Sequence, residues 1–383
     1  MQTREQASAL SSENAAGAAA SPRFYRPELD VLRFGVFVMV YLGHTLYPGP
    51  ETPSWLAAWF NANTIGVPIF FALSAFLFTE LLTIEKRTTG KVHLRPFYLR
   101  RILRIWPLYF LVLFAGFFFS RLRGTGASFP VSALLAYLFL VGDWYTSIHD
   151  YLPAGLIALW TIPVEEQFYT VWPLCVRGMT RRTLGILCLV AWFFSQAVVV
   201  LLCLWHVSAD PGVWTNTFAH LQYFALGVGL SLTLDGRVPS LRGSLRLLMI
   251  AGALGWLVVV ERVFNPRSHY GLASIGETFP ELLLAGFSVL IILTAFLGWN
   301  ACRRFKRMQY LGKISYGLYV YHIPCLLLLG KVSVRLMGRN NPLWVDVIAF
   351  PMTVGLAVLS YRYFERPFLR IKERFAFVKS RPV

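Results

Sequence analysis

This sequence predicts an all-α polytopic membrane protein, and three observations carry that expectation. Of its 383 residues 56% are hydrophobic and only 14% charged, with a mean hydropathy of +0.55, outside the range of soluble domains. Apolar runs close to the roughly 20 residues that cross a bilayer recur along the chain. The 36 Lys and Arg residues behind the net charge of +17 crowd into short segments between alternate runs, as the orientation of membrane helices produces. The basic excess is therefore read as topology and not as nucleic-acid binding. The five cysteines, Cys175, Cys188, Cys203, Cys302 and Cys325, have no paired or metal-ligand spacing, so neither a disulfide framework nor a metal site is indicated.

Residues 1–22 are rich in Ala, Ser and Glu. They lack an apolar region after a basic start, so they read as a short disordered cytosolic tail and not a cleaved signal. The first span lies within RPELDVLRFGVFVMVYLGHTLY, residues 26–47, and carries Asp30, Arg33 and His44. At about 100° per residue, Arg33 and His44 differ by roughly 20° around the helix and Asp30 lies within about 40° of His44. All three share a face, and Arg33 and His44 stand about 16 Å apart along the axis. Ionisable groups at that depth are costly and usually functional; the alternative is a buried polar seam that only locks helix packing.

Residues 48–63 read as a turn-rich loop, and a second span covers about 64–82. The segment 85–104 holds Lys86, Arg87, Lys91, Arg95, Arg100, Arg101 and Arg104, which marks it as cytoplasmic. The first span then runs from inside to outside. A third follows as IWPLYFLVLFAGFFF, with Pro107 near its start, where no helical donor is lost. Residues 131–142 are too short to cross and read as a re-entrant or interfacial segment, whereas 156–176 are long enough. Further spans fall near 184–206, 217–234, 247–263, 278–298, 310–330 and 343–361. The expectation is about ten crossings with both termini cytoplasmic; on that topology 27 Lys and Arg lie inside and 7 outside. One transmembrane domain, 23–364, is expected between the tail 1–22 and a basic cytosolic tail, 365–383, with no internal repeat.

Several stretches carry residues capable of chemistry. LWTIPVEEQFYTVWP sets Glu165 and Glu166 inside a span, and two adjacent carboxylates there must face different surroundings; an ion pair holding helices together is the alternative. YLRRILRIWP places Arg100, Arg101 and Arg104 at the cytoplasmic surface. Arg100 and Arg104 are one turn apart, a spacing suited to gripping a polyanion through guanidinium forks, while topology anchoring or contact with anionic lipid would use the same residues. His322 in LGKISYGLYVYHIPCL sits beside Pro324 in an aromatic span, where a lone His is more often a packing residue than a catalyst.

In order along the chain, RPELDVLRF with ten residues between Arg33 and His44, then FFALSAFL, YLRRILRIWPLYFL, LWTIPVEEQFYTVWPL, LGKISYGLYVYHIP and SYRYFERPFLR resemble the membrane-bound acyltransferase family 3, over about residues 24–370. The resemblance implies an integral-membrane O-acyltransferase that uses acetyl-CoA or another acyl-CoA. Its acceptor would be a surface polysaccharide, peptidoglycan, a lipid-linked sugar or a small molecule such as a macrolide. Arg33 and His44 match the family's Arg and His of the first helix, Arg101 and Arg104 its Arg pair, and Glu165 the first Glu of its acidic motif. Ala75 stands where the family usually has Gly, and the hydrolase-like extracellular domain fused to some members is not seen here; single-domain members act without it. The implied location is the cell inner membrane, multi-pass.

Moving an acyl group from a thioester to an alcohol requires a base, donors for the developing oxyanion and exclusion of water. His44 is the natural base, with a carboxylate such as Glu165 fixing its tautomer. Ser74 lies in a motif, but no base is evident beside it. Direct transfer is therefore preferred, with a covalent acyl intermediate on His44 left open. Arg33, Arg101 and Arg104 lie toward the cytoplasmic face, where CoA phosphates arrive, and Asp30 and Glu165 complete the expected site. A proton-coupled transporter also suits embedded His, Arg and Glu, although no inverted repeat is visible. A non-catalytic scaffold would leave those costly groups unexplained.

Overall fold

The computed structural model describes residues 24–45, 52–122, 129–264, 271–338 and 342–378. The tail 1–22, and with it most of the expected N-terminal segment, lies outside the described residues. Among the described residues the regular structure is helical, because a backbone inside lipid must satisfy its own hydrogen bonds. The helices are α1 (Pro27–Thr45), α2 (Ser54–Ala62), α3 (Gly66–Thr89), α4 (Leu94–Leu122), α5 (Val131–Leu138), α6 (Gly142–His149), α7 (Thr161–Gly178) and α8 (Arg181–Leu204). They continue with α9 (Thr217–Leu234), α10 (Gly243–Phe264), α11 (Thr278–Phe296), α12 (Lys306–Lys313), α13 (Ser315–Met337), α14 (Pro342–Ser360) and α15 (Arg366–Glu373).

Among the described residues seven segments are both long and apolar enough to cross a membrane. They contain α3, α4, α8, α10, α11, α13 and α14. The other three helices expected to cross, α1, α7 and α9, reach 18 or 19 residues but fall short in apolar character. The reason is chemical: α1 carries Glu28, Asp30 and Arg33, α7 carries Glu165, Glu166 and Arg177, and α9 carries His220 and Gln222.

Several boundaries differ from the sequence expectation. The loop expected over 48–63 contains the helix α2 and a 3-10 turn, Asn63–Ile65. Helix α4 begins at Leu94, because the basic lead-in is itself helical, so Pro107 lies inside the helix and not near its start; its missing N–H leaves the carbonyl four residues earlier without a helical partner. The short segment after residue 130 folds as two helices, α5 and α6, and the crossing expected from 156 is a 3-10 stretch, Ala154–Trp160, running into α7. Part of the C-terminal tail, α15, packs against α4.

Helix α3 is the axis of the bundle, with 78% of its most apolar window buried, whereas those of α4 and α10 are 22% buried. Outward Phe118, Phe193, Leu248 and Val347 present the apolar surface that lipid requires. Close approach at the axis depends on Gly227 of α9, where a Cβ would lie 2.0 Å from the Ala72 carbonyl of α3. Ala75, which replaces the family's glycine, is fully buried, so the tight backbone contact on this helix sits one turn earlier. Gly312 of α12 plays the same part against Asp30 of α1, where a Cβ would fall 1.8 Å from the carbonyl oxygen.

The basic segments converge on one end. Arg26 donates to the Gly236 carbonyl (3.4 Å), Lys86 to those of Val176 and Met179 (2.7 and 2.9 Å), and Arg100 to that of Phe375 (2.6 Å). Asp235 pairs with both Arg87 and Arg181. Among the described residues, the basic segments around 26, 86–100, 181 and 375 therefore lie on the same side as 235–236.

Candidate active site

Five helices and residues 24–26 line a cavity of about 160 Å³. Helix α1 contributes Asp30 and Arg33, α3 contributes Ser74 and Phe78, α4 contributes Arg101 and Arg104, α7 contributes Glu165 and Tyr169, and α13 contributes Tyr316 and Tyr319. Arg33, Arg101, Arg104 and Glu165, far apart in sequence, thus meet on one surface. With Arg26, four guanidinium groups and two carboxylates line it, and the cavity is net cationic.

Arg33 Nη1 donates to Asp30 Oδ1 at 3.0 Å, one turn back on the same helix. Arg101 lies over the Phe78 ring, 4.0 Å from its centroid, a cation–π seat that aims the guanidinium; its Nε has no hydrogen-bond partner among the described residues. Ser74 Oγ donates to Glu165 Oε1 at 3.0 Å, and the Tyr169 hydroxyl joins the same two groups. The adjacent carboxylates diverge as their chemistry demands. Glu165 faces the cavity, and Glu166, 6% exposed, accepts from Trp106 Nε1 at 3.1 Å.

Two expectations are not met by the geometry. Arg100 does not line the cavity: its Nη2 pairs with Glu85 Oε2 at 3.3 Å, because the helix turns it toward the last turns of α3. His44 is not bonded to Glu165. Its Nδ1 lies 2.8 Å from the Val40 carbonyl of its own helix, so a backbone oxygen sets the tautomer and leaves Nε2 as the basic nitrogen. His44 also lies beyond the cavity wall, further along α1 than Arg33.

Further groups surround these: His322, which the sequence reads as a packing residue, and others that it passes over. His322 is fully buried, with its ring centroid 5.1 Å from that of His44. Tyr319, one turn earlier on α13, lines the cavity, accepts a hydrogen bond from Thr161 (3.0 Å) and donates to the Ala158 carbonyl (3.1 Å). The spacing of Tyr319 and His322 in YVYHIP was the available signal. Gln167, directly after the two glutamates, donates to Asp143 Oδ1 (2.8 Å) and to the Leu140 carbonyl (3.1 Å), pinning α6 to α7. Burial pushes the Asp143 carboxyl up to about 6, against the hydrogen bonds from Thr217 and Gln167. Among the described residues no three His, Cys, Asp or Glu side chains gather as metal ligands would.

Comparison with known proteins supplies the family. Residues 26–362 match the model of an acyltransferase domain. The putative peptidoglycan O-acetyltransferase YrhL of Bacillus subtilis is 27% identical over 375 residues, covering 90% of this chain and 55% of the relative. The peptidoglycan O-acetyltransferase OatA of Listeria monocytogenes is 27% identical over 379 residues, 90% of this chain and 56% of the relative. The O-acetyltransferase OatA of Staphylococcus aureus is 25% identical over 391 residues, 94% of this chain and 60% of the relative. The chain thus spans little more than half the length of these curated relatives. No solved structure matches it. The motifs that shape the cavity lie within the matched residues, and the chain belongs to acyltransferase family 3.

Proposed function

We propose that this chain is an O-acyltransferase of the cell inner membrane that moves an acyl group, in the first instance acetyl, from acyl-CoA to a hydroxyl of a saccharide or glycan. The observation that carries the reading is the gathering of Arg33, Arg101 and Arg104 in one cavity at the basic end of the bundle, while His44 lies eleven residues beyond Arg33 on the same helix. Guanidinium forks grip phosphate oxygens, so the donor's phosphates take the cavity. The pantetheine arm extends past Ser74, Glu165 and Tyr319 toward the imidazole. Asp30 holds the Arg33 fork, and Arg100 belongs to the wall outside.

In the transfer step His44 Nε2 takes the proton of the acceptor hydroxyl as its oxygen attacks the thioester carbonyl. The new C–O bond forms, the C–S bond breaks, and the imidazolium returns the proton to the departing sulfur. The Val40 carbonyl keeps the other ring nitrogen protonated throughout. With the basic end in the cytosol, CoA reaches the site from inside and the acceptor from outside. The names of the relatives make peptidoglycan glycan strands the first acceptor to try.

The test uses purified protein with acetyl-CoA and soluble peptidoglycan glycan strands, reading release of free thiol. Wild type should release thiol in an acceptor-dependent manner, and His44→Ala should lower the rate about 10²- to 10⁴-fold, as loss of a general base does. A well-folded His44→Ala protein with near-normal turnover would overturn the mechanism.

A further inference from the structure

The imidazole of His322 has no place in the step just described, yet its ring is in contact with that of His44. The two rings meet edge to face, with centroids 5.1 Å apart and planes at 69°. His322 Nδ1 lies 2.5 Å from the Tyr319 carbonyl of its own helix. That bond places the ring proton on Nδ1 and leaves a lone pair on Nε2, on the side of the ring turned away from α13. Nε2 has no hydrogen-bond partner among the described residues, and the residue is 0% exposed. A buried acceptor without a donor is a standing cost to the fold.

His322 is held there deliberately. Phe37 and Tyr41 of α1 pack on its ring at 6.0 and 6.4 Å, and Tyr319 does so at 5.6 Å. Other ionisable groups around this level are already engaged or face elsewhere. The Tyr41 hydroxyl donates to the Asp346 backbone carbonyl of α14 (2.7 Å). Tyr321 on α13 bonds Ser360 at 3.0 Å, and Cys325 packs in the cluster with Phe37 and Leu318. Helix α2, the 3-10 turn 63–65 and the first turn of α3 carry no ionisable side chain. Among the described residues no carboxylate therefore acts on His44 as one does on the base of hydrolase triads.

We infer that His322 is a positioning residue for His44, a neutral acceptor whose Nε2 lone pair stabilises the His44 imidazolium formed when the acceptor hydroxyl is deprotonated. This inference rests on the reading of His44 as the base. It assigns to an imidazole the charge-stabilising part of the role that a carboxylate has in a Ser–His–Asp triad, the Val40 carbonyl keeping the tautomer-setting part, in a place where a buried negative charge would be far more costly than a neutral ring. The proton balance is unchanged: it moves from the acceptor hydroxyl to His44 and on to the leaving sulfur, and His322 stays neutral.

The test compares His322→Phe, which keeps an aromatic ring without an acceptor, with His322→Gln, which keeps an acceptor oxygen. Two readouts are taken on detergent-purified protein of matched thermal midpoint. One is the pH profile of acetyl-CoA turnover with glycan strands. The other is the NMR titration of ring carbons in histidine-labelled protein, with the His44 signal identified by its loss in His44→Ala. In His322→Phe the plateau rate should fall about 10- to 100-fold, and both the acid limb and the His44 titration should move to lower pH by about one unit, a roughly tenfold loss of the interaction that favours the charged ring. His322→Gln should restore most of both. An unmoved His44 titration in His322→Phe, or equal loss in the two variants, would overturn the inference while leaving His44 as base; an active His44→Ala protein would instead overturn the reading beneath it.

Discussion

Replacing Arg101 and Arg104 together by Gln removes two of the four guanidinium groups of the cavity and leaves its shape nearly intact, since both side chains are long and line the wall of one helix. If each holds one phosphate oxygen by a charge-assisted bond of about 1.5–3 kcal/mol, the pair contributes about 3–6 kcal/mol. At about 1.4 kcal/mol per decade this is a 10²- to 10⁴-fold loss in CoA affinity. The two residues would share a ligand, so their contributions are coupled, and the lower figure is the one expected. Part of the effect on stability is separate: Arg101 also loses its seat over Phe78 at 4.0 Å, worth about 1–2 kcal/mol when desolvated. Calorimetric titration of CoA into detergent-purified protein reads the affinity, and thermal unfolding reads the stability. The control is Arg100→Gln, which breaks the 3.3 Å pair with Glu85 and the 2.6 Å bond to the Phe375 carbonyl. It should lower the melting temperature and leave CoA binding unchanged. Wild-type affinity in the double variant, or an equal loss in Arg100→Gln, would refute the assignment of the donor to this cavity.

Two further outcomes follow from groups outside the cavity. Asp143, on the short helix α6, has its carboxyl raised to about 6, so the folded protein holds its proton where the unfolded chain, near 3.9, has released it. That contribution is present below about pH 4 and is lost as pH rises through 6, a change of at most ~3 kcal/mol. The melting temperature of wild type should therefore fall relative to Asp143→Asn between pH 4.5 and pH 7, and a rise would contradict the sign. The topology is tested by a reporter cysteine near residue 90 in intact cells, which should resist an impermeant thiol reagent until the cells are opened; labelling from outside would invert the orientation and move the donor to the other face.

Much of the architecture was legible because membrane crossing imposes a length and a composition that a single sequence displays. The spans expected at 217–234 and near 278–298 coincide with α9 and α11 within two residues. Boundaries failed where local chemistry and membrane depth disagree. The lead-in to α4 is basic and so reads as loop, yet Leu, Ile and Arg are good helix formers, and the helix continues through it. The arginines of the cavity were legible as a group, but of Arg100 and Arg104, about 40° apart on the helix, only Arg104 lines the cavity, while Arg100 pairs with Glu85. Glu85, which claims Arg100, is 2% exposed and gave no sign of that in a segment read as soluble loop. The contact between His44 and His322 joins residues 278 positions apart. Helical periodicity assigns each to a face of its own helix and says nothing about which two faces meet.

The polar seam of α1 admits a purely structural reading, and the pairing within it argues against that reading. A seam that locks helices together gains by pairing charges across an interface, because truncating one partner then loosens two elements at once. Here Arg33 is bonded to Asp30 of its own helix, three residues back, so that bond does not itself cross a helix interface. The same holds one level up, where His44 and His322 each bond a carbonyl of their own helix and turn the remaining nitrogen outward. Local bonds of this kind orient a side chain while leaving its working atoms unspent. Arg101 repeats the pattern with an aromatic ring as its support. Packing alone would be served better by apolar residues of equal volume, which carry no desolvation cost. Cations fixed in place with donors left over are what an anionic ligand requires, and an imidazole fixed with Nε2 left over is what a proton transfer requires.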